Sequence, residues 1–274
     1  MPVHPTTNKG IATPVMRLNS NNNTGEIPFC QLDRAKQRDI LRSMNYQEKS
    51  KLLNLIRSQY RGNDPRYLDA MVTVSASMIT HVPCKDLKDL ATKTLQFMKD
   101  QVGFASQEQY TPEQYAQLQK EIAKFNGSEM LARGVCIDCT DASKLFMALF
   151  TAASKETPNL KNINATYVAS IDTKWAETEN LDDPTSVKGH SIVQLEDHGN
   201  IMYVDAQLFL TLGDEDPSDP IFKAVDMNGT FNKKTGDGTR EFQVFSISNN
   251  NIPTSENQLW TQHIGAAREY IKKY

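Results

Sequence analysis

The chain has 274 residues, 39% of them apolar and 23% charged, and 30 Lys and Arg stand against 33 Asp and Glu for a formal net charge of −3. That is enough for one large domain or two modest ones with a proper core, and nothing in it forms the basic stripe that a nucleic-acid partner needs. The longest strongly apolar run, 145–150, is far short of the ~20 residues that cross a bilayer, so no membrane partner is expected. The N-terminus has no apolar h-region, so no secretory signal of the usual kind is expected. Four cysteines (Cys30, Cys84, Cys136 and Cys139) are too few for a disulfide scaffold and point to a reducing, cytosolic setting. The N-x-T matches at Asn22, Asn164 and Asn228 are read as chance.

Residues 1–27 are rich in Pro, Thr, Asn and Gly and read as a flexible tail, too polar to offset the entropy of ordering. From 28 to 128 the pattern is helical. Leu53, Leu55 and Ile56 carry apolar positions near helical spacing, and 86–102 reads as a further helix with Leu87, Leu90, Leu95 and Met98 apolar. Thr111-Pro112-Glu113-Gln114 is a helix start with a capping Thr and a first-turn Pro, and Gly127 is read as the end of that helix.

The texture changes after Gly134, and 129–274 is read as a second region. Residues 138–154 form an expected helix with Ala142, Leu145, Phe146, Leu149 and Phe150 on a broad apolar face. A strand is expected at 166–171, then a long acidic loop over 172–188 containing Trp175, read as a packing anchor. Two short strands follow at 190–195 and 201–205, a solvated acidic loop at 214–220, an alternating strand at 240–247, and a last helix opened by Ser255. Helices first, then one helix among antiparallel strands, make the fold class α+β.

Chemistry concentrates in Arg133-Gly134-Val135-Cys136-Ile137-Asp138-Cys139 and in the segment from His190 to Asp205. A nucleophilic thiol needs a helix N-terminus or a nearby base to lose its proton, and the base needs a carboxylate to hold its tautomer. Cys136 is placed at the first turn of the helix after Gly134. Cys139, one turn on, is the alternative nucleophile, and sequence spacing does not separate the two. A turn centred between Asp197 and His198 sets His190 opposite Asp205 on one face of a hairpin. The pair Cys136/Cys139 also has plainer readings. It could be buried small apolar side chains, a zinc site lacking two of its four ligands, or a redox pair without the βαβ unit. His198 is read as a turn residue, and Gln207 is a weak candidate for a second oxyanion donor.

Gly134-x-Cys136-x-Asp138 followed by a helix, then His190 at a strand start and Asp205 at the end of the next strand, resembles the bacterial transglutaminase-like proteins. The run Asn200-Ile201-Met202-Tyr203-Val204-Asp205-Ala206-Gln207 and the C-x-x-C pair are similar to OspI-type bacterial effector glutamine deamidases. The likeness covers roughly 130–210 and departs from the pattern at Thr140, where Ala is usual, and at Ser191, where an aromatic is frequent. It implies a papain-like or transglutaminase-like core and a Cys136–His190–Asp205 site acting on a carboxamide through a thioester. It further implies a protein substrate, no cofactor and no metal, with deamidation of a glutamine favoured over transglutamination or proteolysis. The setting it implies is cytoplasmic, or the host cytosol for a delivered effector. The reading of another class is a degenerate module that only binds a partner.

Overall fold

The computed structural model describes residues 29–62, 64–105, 109–178, 181, 188–211, 220–235 and 238–273. The expected tail, residues 179–180 and 182–187 of the first expected acidic loop and most of the second lie outside these residues. The chain begins with α1 (Arg34–Arg42), α2 (Tyr46–Gln59), α3 (Pro65–Ile79) and α4 (Leu87–Gln101). Each has an Asp or Asn before its first turn: Asp33, Asn45, Asp64 and Asp86 all accept a backbone N–H. Such caps satisfy donors that the helix leaves unpaired.

A two-residue strand β1 (Gly103–Phe104) precedes α5 (Pro112–Ile122), which Thr111 and Gln114 open with a capping box. The helix stops at Ile122, and Gly127 does not end it. Gly127 instead begins α6 (Gly127–Arg133), capped by Asn126 and Glu129. A Cβ at Gly127 would lie 2.3 Å from the Lys144 carbonyl oxygen, so only glycine lets α6 cross the next helix this closely. Gly134 closes α6 at φ 70°, and β2 (Val135–Cys136) pairs in parallel with β1.

Helix α7 (Cys139–Lys155) is the hub, touching α3, α4, α6 and the sheet. That sheet has six strands, all antiparallel: β3 (Asn164–Asp172), β4 (Gly189–Asp197), β5 (Asn200–Val204), β6 (Phe222–Lys223), β7 (Thr230–Thr235) and β8 (Gly238–Ile247). Their order is β6-β5-β4-β3-β8-β7. The strands expected at 166–171, 190–195, 201–205 and 240–247 lie within or overlap β3, β4, β5 and β8. The start of the expected acidic loop is helical, forming α8 (Thr173–Thr178), and Trp175 is 2% exposed against Ile171 and Ala267. Asp172 caps that turn by accepting the Trp175 N–H at 3.0 Å. Helices α9 (Ala206–Leu210) and α10 (Glu256–Lys273) complete the α+β arrangement.

Alternation along the strands gives the sheet two faces. Val193 and Leu195 join the large core built on Leu53, Met71, Leu95, Leu145, Phe146 and Phe150. That core is continuous across 128/129, where the helical region meets the second region. On the other face Val168, Ile192, Phe231 and Phe242 form a separate small cluster.

Candidate active site

The site begins where β2 gives way to α7. Asp138, at φ −137° and ψ −177°, is the N-cap and accepts the Asp141 N–H at 2.9 Å. The first helical residue is therefore Cys139. Cys136, expected at the first helical turn, is in β2, fully buried, with its carbonyl bonded to the Ala105 N–H at 2.9 Å. The physical reason is the cap: a Gly permits a tight approach, but an Asp in extended backbone fixes the helix start. The cysteine that reaches the helix N-terminus is the alternative, Cys139.

Cys139 is half-buried, and the backbone N–H and hydroxyl of Ser191 favour its thiolate form. Burial pushes the thiol up to about 12, with Asp138 acting in the same sense and Lys233 and Ser191 against it. Ser191 belongs to a buried hydroxyl cluster: its Oγ lies 2.5 Å from the Tyr167 hydroxyl and 3.3 Å from that of Thr140. The two departures from the resembled pattern, Thr140 and Ser191, thus contact each other through this cluster. Burial raises the Tyr167 phenol well above its usual range, so it stays neutral.

His190 and Asp205 come from the β4–β5 hairpin, with a register other than the expected one. Asp197 pairs with Asn200, so the two-residue turn is His198-Gly199, at φ 50° and φ 85°. A tight turn with positive φ at both positions favours glycine, and Gly199 therefore moves the turn one residue along from its expected place. Val193 pairs with Val204. Continuing that register sets Asp205 level with Ile192, two residues from His190 on the same face. A diagonal placement of this kind remains within reach of long side chains. The His190 Nε2–H donates to Asp205 Oδ2 at 2.6 Å, and the two residues are 3% and 0% exposed.

Asp205 is also the N-cap of α9, its Oδ1 accepting the Leu208 N–H at 3.1 Å. The Lys223 ammonium lies 3.7 Å from Oδ2. Burial alone would raise the Asp205 carboxyl, but the imidazole, Lys233 and Lys223 hold it far below the usual carboxylate range. Burial lowers the His190 imidazole, Lys233 and Lys223 lower it further, and Asp205 opposes them. The Phe231 and Phe242 rings flank His190 at 6.3 and 5.7 Å between centroids.

Lys233 is the common neighbour, its charge acting on Cys139, His190 and Asp205 alike. Neither Lys223 nor Lys233 was singled out from the sequence, because a strand lysine reads as solvent-facing unless its neighbours are known. Both are buried, at 5% and 6% exposure. Below the hairpin, Gly189 presses on α10: a Cβ there would lie 2.3 Å from Cε1 of His263. His263 is 4% exposed, and neither ring nitrogen has a hydrogen-bond partner.

The structure thus joins His190 to Asp205 directly, and Ser191, the residue next to His190, meets the first turn of α7 through Thr140; among the described residues no contact between Cys139 and His190 is seen. His198 is at the turn, bonded to Asp197 at 2.5 Å. Gln207 is half-buried in α9, its carbonyl accepting the Thr211 N–H at 3.0 Å. Among the described residues, no group of three or more His, Cys, Asp or Glu comes together to hold a metal ion. No described helix is long and apolar enough to cross a membrane. No family model, curated protein or solved structure matches the chain.

Proposed function

We propose that the chain is a cysteine-dependent acyl-transfer enzyme of papain-like or transglutaminase-like type, with Cys139 as nucleophile, His190 as base and Asp205 as the group that orients it. The observation that carries this reading is the buried His190–Asp205 pair, one residue along β4 from Ser191, which meets the first turn of α7 through Thr140. Asp205 occupies Nε2, so Nδ1 is the nitrogen open to a proton.

The thiol is raised and the imidazole lowered, so the resting pair is neutral. His190 therefore acts as a general base during attack, and no preformed thiolate is needed. The Cys139 S–H proton passes to His190 as the sulfur bonds to the carboxamide carbon. The C–N bond then breaks, and the imidazolium gives its proton to the leaving ammonia. Water, deprotonated by His190, cleaves the thioester to a carboxylate and returns the thiol. Asp138 takes the N–H of Asp141, and the Cys139 N–H at the helix start is the oxyanion donor.

The substrate we propose is a protein glutamine, deamidated by this route, with an amine in place of water giving transglutamination and a backbone amide giving proteolysis. The raised thiol also favours a reading of another class, a partner-binding module that has lost turnover. A chloroketone analogue of a glutamine peptide separates the two, since alkylation needs the sulfur, the base and an open site together. The expected result is one adduct on Cys139 by peptide mass spectrometry, absent in a folded His190→Ala variant. Labelling at the same slow rate in both proteins overturns the enzyme reading. Candidate protein substrates are then followed by mass, because a 1 Da gain, a cross-link and a cleavage are distinguishable.

A further inference from the structure

A cleft of about 730 Å3 lies on the helical side of the molecule between α1, α3, the α5–α6 connection, α7 and the turn at 249–254. Its volume is in the range of small-molecule sites. Five cationic and two acidic side chains line it. Both arginines are paired: Arg34 with Asp69 at 3.0 Å, and Arg38 with Glu156 at 2.5 Å. Lys124, Lys144 and Lys155 have no carboxylate within ion-pair distance among the described residues. In a chain of net charge −3 this is a local concentration of positive charge.

Lys144 is the central group. It is 9% exposed, and its ammonium donates to the Ala123 carbonyl at 3.2 Å. Beyond that neutral acceptor, only the more distant carboxylates of Asp138 and Asp141 offset its lost hydration. Its pKa is lowered by burial accordingly, against the pull of Asp141 and Asp138. An anion entering the cleft would add a direct counter-charge. The walls beside it are partly apolar, with Val72, Met147 and Ile252, and so suit an organic body. The two guanidinium forks, which match planar carboxylates, are already taken. The free cations are ammonium point charges, which suit phosphate oxygens.

We propose that this cleft binds a phosphorylated organic molecule of about nucleotide size. The site is distinct from the Cys139 site, and the inference does not depend on the proposed reaction. The two are joined by α7, because Lys144 balances the carboxylates of Asp138 and Asp141 at the start of the helix that carries Cys139.

The test is calorimetric titration of the full chain with ADP, pyrophosphate, adenosine and citrate. ADP and pyrophosphate are expected to bind and to raise Tm, and adenosine is expected to do neither. The variant Lys124→Ala/Lys155→Ala changes two exposed side chains, so its circular dichroism and ligand-free Tm should match the parent. It should weaken ADP binding by about tenfold or more. Lys233→Met, in the other basic cluster, should leave ADP affinity unchanged. Absence of ADP binding overturns the proposal. Citrate binding as tight as ADP overturns the phosphate assignment. Weakening by Lys233→Met with none in the double variant places the anion outside this cleft and also overturns it.

Discussion

Nε2 of His190 lies 2.6 Å from Oδ2 of Asp205, although the two residues are not level in the hairpin. The register moves by one turn residue, which changes which residues are opposite but keeps both side chains on the same face. Contact survives because a carboxylate reaches diagonally to a residue two places along. The pair is therefore fixed by the α9 cap at Asp205 as much as by strand pairing.

Cys139→Ala is expected to abolish both chloroketone labelling and any turnover, a loss of several orders of magnitude in rate. Cys136→Ala should keep both and cost about 1 kcal/mol of stability, since it trims a small buried side chain in β2. Retained activity in Cys139→Ala, with none in a folded Cys136→Ala, would restore Cys136 as the nucleophile.

Lys233 holds the His190 imidazole down, so its removal should let the ring take a proton more readily. A neutral imidazole is the form that accepts the thiol proton. The acid limb of activity should therefore lie below pH 6.5 in the parent and move upward in Lys233→Met. Imidazole nitrogen NMR reads the same titration without turnover. An unchanged or lowered His190 titration in the variant contradicts this account.

His263 is lowered to about 4 by burial alone. Its folded pKa is below its unfolded value, so the folded state binds fewer protons at mildly acid pH. The stability tied to neutral His263 is full above about pH 6.5 and is lost as the pH falls towards 4. A shift of this size corresponds to roughly 3 kcal/mol. Urea unfolding at pH 7 and pH 4.5 should show the drop, and His263→Phe should remove most of it. An equal drop in the variant assigns the acid sensitivity elsewhere.

Gly189→Ala should destabilise the chain by a few kcal/mol, because the new methyl collides with the His263 ring. Placed in a His263→Ala background, the same change should cost far less. A double-mutant cycle measures this coupling, and additive effects would show that the contact is not what makes Gly189 necessary.

Helices were the legible part of the fold. Asp33, Asn45, Asp64, Asp86 and Thr111 each announce a helix start through a local hydrogen bond, which short-range sequence carries. Asp138 carries the same signal, and it seats Cys139 in place of Cys136 at the helix start. The strands β1 and β2 were not legible, since two residues pairing with a segment some thirty positions away leave no periodicity. The strand β7 was hidden by its lysines, whose burial depends on a neighbouring strand. His190 and Asp205 were legible as residues, whereas their register turned on Gly199. Lys223 and Lys233 entered the site only through tertiary packing.

The contact between Gly189 and His263 also bears on the order of assembly. Strand β4, which bears the imidazole, is synthesised well before α10, against which it rests. A nascent chain that has reached β8 has both His190 and Asp205 and still lacks the ring that backs the strand. The hairpin that carries His190 and Asp205 would then settle only after α10 has emerged and docked against Gly189.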